Sequence, residues 1–119
     1  MYMYNGNERL EIGVIYNRKE DFEISLEEYR DLVEVYIGKR YEIENDGIIE
    51  KCQINGNEAY SITDEIIVEN QKLTVVAYCV ETENYLLEIY TFSPRSKSKE
   101  NTKKFLEILN TLEEVKENN

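Results

Sequence analysis

The stretch from Ile48 to Phe92, IIEKCQINGNEAYSITDEIIVENQKLTVVAYCVETENYLLEIYTF, decides the fold. Ile48, Glu50, Cys52 and Ile54 alternate with Ile49, Lys51 and Gln53, the period-two pattern of a strand. Asn55-Gly56 follows, the pair favoured where both central residues of a tight type I′ turn need positive φ. The returning segment sets Tyr60, Ile62, Ile66 and Val68 on one face, with Ser61, Thr63, Glu65 and Glu69 mostly on the other. Residues 69–72 form the next turn. From Leu73 to Val80 both faces are apolar, with Val75, Ala77 and Cys79 opposite Val76, Tyr78 and Val80. A strand apolar on both sides is usually central in its sheet and covered twice. Residues 81–84 turn the chain into a last strand over 85–92, and Ser93-Pro94 ends the run.

Outward from this meander, Leu10, Ile12, Val14 and Tyr16 share one face of an earlier strand, with Glu11, Gly13 and Ile15 on the other. A charged loop is expected over 17–21. Ser25 with Glu28 three residues on makes a capping box, and Ile24 and Tyr29 stand at the positions of a hydrophobic staple. Leu26, Tyr29, Val33, Tyr36 and Ile37 recur at helical spacing, and Gly38 is the expected stop. Residues 41–46 are mixed and acidic, with a break at Asp46-Gly47. At the C-terminal end, Ser98 is the expected N-cap of a helix whose stripe is Phe105, Ile108, Leu109, Leu112 and Val115. Phe105, Ile108, Leu109 and Leu112 are expected to lie against the sheet.

The element order is β-α-β-β-β-β-α. It predicts an α+β fold: an antiparallel sheet of about five strands covered by helices on both faces, an α/β/α sandwich. At 119 residues the chain reads as one domain, 1–119, with 1–7 and 116–119 frayed. Such a domain hides roughly two thirds of its unfolded surface, enough for a core without staples.

At this layout the chain resembles the PsbP family, which spans the extrinsic photosystem II subunit PsbP, a Ran-binding nuclear-import factor and small bacterial domains. The residues carrying the resemblance are the strand with Ile12 and Val14, the helix start Ser25-Leu26-Glu27-Glu28-Tyr29 and the hairpin Ile54-Asn55-Gly56-Asn57-Glu58-Ala59-Tyr60. The strand Tyr85-Leu86-Leu87-Glu88-Ile89-Tyr90 and the closing helix from Phe105 to Leu112 complete it. The resemblance implies a non-enzymatic binding or assembly module. It transfers no site, because the Ran-binding and manganese-cluster residues have no recognisable counterpart here.

Charge excludes further classes. Acidic residues number 25 against 14 basic ones, a net charge of −11, which disfavours direct binding of nucleic acid or of an anionic membrane. A basic protein partner or self-association fits better. No apolar stretch approaches the roughly 18 residues of a membrane span, and the first residues lack the pattern of a signal peptide. The expected location is cytoplasmic, with an extracytoplasmic or lipoprotein domain as the alternative if the chain is trimmed.

The sequence has no histidine, which removes the usual general base and the commonest metal ligand. Cys52 and Cys79 read as small buried hydrophobes, with a disulfide across the sheet as the alternative. Glu42, Glu44, Asp46 and Gly47 loosely echo a calcium loop, but Gln53 stands where the bidentate Glu belongs. No cofactor and no metal is expected. Arg95, Lys97, Ser98, Lys99 and Lys103, with Lys104 beside them, form a basic loop at a helix N-terminus, the candidate anion- or partner-binding site. Ten tyrosines and no tryptophan offer core-edge packing or an exposed contact patch. The leading functional reading is a binding or assembly module without catalysis, engaging a protein or a small ligand. The alternatives are an acidic nucleic-acid mimic that inhibits an enzyme with a basic cleft, and an enzyme working with carboxylates alone.

Overall fold

A computed structural model of the protein describes residues 2–5, 10–21 and 23–111. Eight principal elements follow in the order β1 (Tyr2–Asn5), β2 (Leu10–Arg18), α1 (Leu26–Arg40), β3 (Glu42–Ile54), β4 (Asn57–Val68), β5 (Gln71–Glu81), β6 (Tyr85–Pro94) and α2 (Ser98–Leu109). The six strands make one sheet ordered β1-β2-β6-β5-β4-β3, with every pairing antiparallel. The fold is the expected α+β arrangement, extended by one strand.

The two-sided apolar run behaves as its composition requires. β5 lies inside the sheet and is buried from Thr74 to Val80. Val75, Ala77 and Cys79 join Ile62, Ile66, Leu86 and Tyr90 under α1, which contributes Leu26, Tyr29, Val33 and Ile37. Val76, Tyr78 and Val80 join Ile12, Ile54, Ala59 and Ile89 under Phe105 and Leu109 of α2. The hairpins match their turn chemistry. Asn55 and Gly56 both take positive φ, as do Glu69 and Asn70 in the next turn.

The capping box of α1 forms as read: Glu28 N–H donates to Ser25 Oγ at 3.1 Å, and Ser25 N–H donates to Glu28 Oε1 at 3.1 Å. Its far end differs. Gly38 does not stop the helix, which runs on to Arg40 and is capped where Tyr41 N–H donates to the Ile37 carbonyl. A helical glycine costs only about 1 kcal/mol, and packing of Ile37, Tyr41 and Ile43 on the core outweighs it.

Other expectations are also corrected. Of the segment 1–7 expected to fray, Tyr2–Asn5 pairs with β2, because the ladder groups on that edge of β2 accept another strand. The proposed frayed end, 116–119, lies outside the described residues, as do Leu112 and Val115. The charged loop at 17–21 is shorter than expected, since β2 continues to Arg18 before a 3₁₀ turn at Lys19–Asp21. Ser98 is the first helical residue of α2 rather than its cap. The 3₁₀ turn Arg95–Lys97 runs straight into the helix, and the Ser98 N–H is taken by the Arg95 carbonyl. Ile108 is 37% exposed. The buried line is Asn101, Phe105 and Leu109, spaced by four, which leaves Ile108 on the flank.

The Asp46-Gly47 break is absorbed inside β3. Register shifts fall between Ile43 and Asn45 and between Asn45 and Ile48. There the Gly47 N–H donates to Oδ1 of the buried Asp64 at 2.7 Å. A Cβ at Gly47 would stand 0.9 Å from the Thr63 carbonyl oxygen. Only glycine permits this approach. Gly47→Ala is therefore expected to lose about 1–3 kcal/mol or more, as overpacked sites do. Gly38→Ala, in an exposed helical position where a Cβ would meet Ile43 Cδ1 at an ordinary 4.0 Å, is expected to gain about 0.4–1 kcal/mol. Urea unfolding midpoints of the two variants check both signs.

Candidate functional site

The basic loop read from the sequence does not stay together as a site. The Arg95 guanidinium turns back onto the sheet: Nη1 donates to Glu44 Oε1 at 2.5 Å and Nη2 to the Ile66 carbonyl at 3.2 Å. Its Nε lies 3.4 Å from Glu65 Oε2, close enough for charge attraction but without hydrogen-bond alignment. The hydrogen bond from Arg95 lowers the Glu44 carboxyl below its usual range. Arg95 thus straps the 3₁₀ turn to β3 and β4. Lys97, Lys99 and Lys103 remain exposed, with Ser98 half-buried beside them. Among the described residues none of the three lysines makes an ion pair.

The cysteines are free and sit on opposite faces of the sheet, Cys79 under α1 and Cys52 on the α2 side. They cannot pair. Glu42, Glu44 and Gly47 belong to a strand instead of a loop, and among the described residues no three potential metal ligands gather. Among the described residues the exposed acidic side chains fall on α1, β3, β4, α2 and the turns alike.

A different cluster is assembled by the face alternation of β6. Leu86, Glu88, Tyr90 and Phe92 point toward the α1 side, so one carboxylate interrupts an apolar row. Register places Glu88 between Ile15 of β2 and Cys79 of β5. From above, Tyr29 of α1 reaches down and its hydroxyl donates to Glu88 Oε2 at 2.8 Å. From alongside, the Tyr90 hydroxyl donates to Glu88 Oε1 at 2.5 Å. Asn17 Nδ2 donates to the Tyr29 oxygen at 2.6 Å and stands 3.4 Å from Glu88 Oε2. Burial, reinforced by the Glu88 charge and hydrogen bond, pushes both phenols well above their ordinary range, so they remain donors. No Lys or Arg among the described residues pairs with Glu88.

The cluster lies at the border of the covered part of the sheet. α1 packs mainly over β5, β4, β3 and β6, so among the described residues no helix has its principal contacts on the same face of β2 beside it. Ile15, the cross-strand neighbour of Glu88, is 44% exposed. Gly13 faces Tyr90 in register, and a Cβ there would meet nothing within 4 Å among the described residues. Tyr29, Leu32 and Tyr36 run along the edge of α1 that borders this gap. Leu32 is 54% exposed and Tyr36 42%, the latter with its ring 6.0 Å from that of Tyr90. Among the described residues this sets an apolar rim of Ile15, Leu32 and Tyr36 beside a half-buried carboxylate, the candidate groove. The sequence signal for it was the lone Glu88 in an apolar face of an inner strand; its partners Asn17 and Tyr29 come from elements no periodicity brings together.

Other tyrosines with described side chains divide between packing and surface. Tyr78 is buried, and Tyr60 lies under the Arg30 guanidinium, 4.7 Å from its ring centre. Tyr16 and Tyr85 meet edge-on at 6.1 Å. A shallow, open depression at the end of α1, bordered by Tyr36, Arg40, Tyr41, Ile67 and Glu69, gathers no comparable network.

The fold defines a class, a small α+β domain with a helix packed on each face of an antiparallel sheet. No protein-family model and no curated protein matches the chain. Solved structures do share the fold. A Pseudomonas aeruginosa protein of unknown function, PA94, for which a regulatory role has been suggested, superposes with TM-score 0.69 at 13% identity, over 98% of this chain and 81% of that one. LpqN of Mycobacterium tuberculosis, involved in cell envelope biogenesis, superposes with TM-score 0.61 at 11% identity, over 88% of this chain. The match takes in 61% of LpqN, so this chain corresponds to about six-tenths of that protein. None of the described helices is long and apolar enough to cross a membrane.

Burial, then the nearby Glu88 charge, pushes the Cys79 thiol up to about 12 from an ordinary 9.0. Its folded-state value is raised, so the stability it contributes is full below pH 9 and is lost as pH climbs toward 12. Tyr29 and Tyr90 act in the same direction. The urea midpoint is expected to hold level up to about pH 9 and fall above it. At pH 8 a thiol reagent is expected to leave Cys79 unmodified until urea unfolds the chain.

Proposed function

We propose that this chain is a non-catalytic binding module, and that its binding surface is the groove between α1 and the adjoining face of β2. The observation that carries the reading is the combination of exposed Ile15, Leu32 and Tyr36 around the floor formed by Glu88 and Tyr90. Exposed apolar groups rimming a few convergent polar atoms are the usual make-up of a recognition site. The absence of histidine from the sequence supports binding over catalysis. Both phenol donors of the cluster are locked as neutral groups, which suits them to holding a carboxylate in place and not to moving protons. The element layout of the PsbP family, which motivates a module role, is compatible with this reading. LpqN's involvement in envelope biogenesis favours the extracytoplasmic alternative for location.

Amide chemical-shift mapping against a mixed small-fragment library tests the site. Hits are expected to perturb Gly13, Ile15, Asn17, Leu32 and Tyr36 and to spare the α2 side. Hits confined to the α2 side or the Lys97–Lys103 loop would place the binding surface elsewhere. Substrate turnover abolished by Glu88→Gln would make the protein an enzyme.

A further inference from the structure

Resting on that reading of the groove, we propose that it receives a lysine side chain from an extended segment of a partner protein, with the ammonium seated on Glu88 and the methylene stem along Ile15 and Leu32. The carboxylate is half-buried and has hydrogen-bond donors from Tyr29, Tyr90 and Asn17 but no cation among the described residues. Those donors hold it in place and leave its charge uncompensated, so a cation entering the groove gains both attraction and a remaining lone-pair position.

The geometry prefers lysine over arginine. A guanidinium recognises a carboxylate through both oxygens at once. Here Oε1 already accepts from Tyr90 and Oε2 from Tyr29, which obstructs the fork. An ammonium is a point charge with three rotatable donors and needs only one free approach. The rim supplies the rest. Lysine buries its aliphatic stem on apolar surface while its head reaches a polar group, and Ile15 and Leu32 offer that surface with Tyr36 and Tyr90 beside the head. Among the described residues nothing stands within 4 Å of a Cβ at Gly13, which leaves the stem room there. The net charge of −11 steers a basic partner toward the domain.

The test uses three capped peptides, acetyl-Val-Lys-Val-amide and its norleucine and arginine counterparts, with n-butylamine as a free-amine probe. Binding is read from the Gly13, Ile15 and Tyr36 amide shifts at low and high salt. The lysine peptide is expected to bind roughly tenfold or more tighter than the norleucine peptide, the scale of one charge-assisted hydrogen bond. The arginine peptide and butylamine are expected to be weaker than the lysine peptide, and added salt to reduce the lysine preference. Glu88→Gln keeps the side-chain shape and is expected to erase that preference. Gly13→Leu fills the gap without touching Glu88 and is expected to weaken all three peptides. Equal binding of lysine and norleucine peptides in the groove would overturn the proposal while leaving the binding-module reading intact. Butylamine binding as tightly as the lysine peptide would make the site a free-amine receptor and overturn the partner assignment. Failure of every probe to perturb the groove would count against both.

Discussion

Burial of β5 on both faces is the constraint from which the rest of the architecture follows. Val75, Ala77 and Cys79 need cover on one side, and Val76, Tyr78 and Val80 need it on the other. The chain supplies one helix for each. Two helices cannot cover both sides of a six-stranded sheet, since one helix with its side chains spans about 10–12 Å and strands lie about 4.8 Å apart. α1 therefore settles over β3 to β6, and among the described residues β2 is left out of its principal contacts. The groove beside α1 is the consequence, and Glu88 sits at the boundary because β6 lies between β5 and β2.

Much of this was legible in the sequence because it depends on local rules. Period-two alternation, Asn55-Gly56 and the Ser25–Glu28 box each specify a conformation within a few residues, and each formed as read. The misreadings have a common cause in tertiary context. Gly38 and the Asp46-Gly47 pair look like breaks locally, yet long-range packing carries the helix past one and the strand through the other. Ile108 is apolar and nearly in register, but Asn101 rather than a larger apolar group defines the buried line of α2, which turns Ile108 outward.

The candidate site shows the same division. The basic loop was visible as a cluster in sequence, but proximity along the chain does not settle where a long side chain goes. Arg95 finds Glu44 and Glu65 from strands far away in sequence, and an arginine near two carboxylates is worth more paired than exposed. Glu88, Tyr29, Tyr90 and Asn17 come from β6, α1 and β2, so only the register of β2 against β6 and the seating of α1 bring them together. Of these, sequence could have flagged Glu88 alone.

The bulge at Gly47 also bears on how the molecule avoids sticking to itself. β3 is a 13-residue strand at the margin of the sheet, with Ile48 and Ile49 both exposed. A flat edge of that length is a template on which further strands can stack. The register shifts on either side of Asn45 break its straightness near its start and leave an unbroken run of only 48–54. The glycine that lets β3 lean onto Thr63 is thus also a guard against open-ended fibre growth.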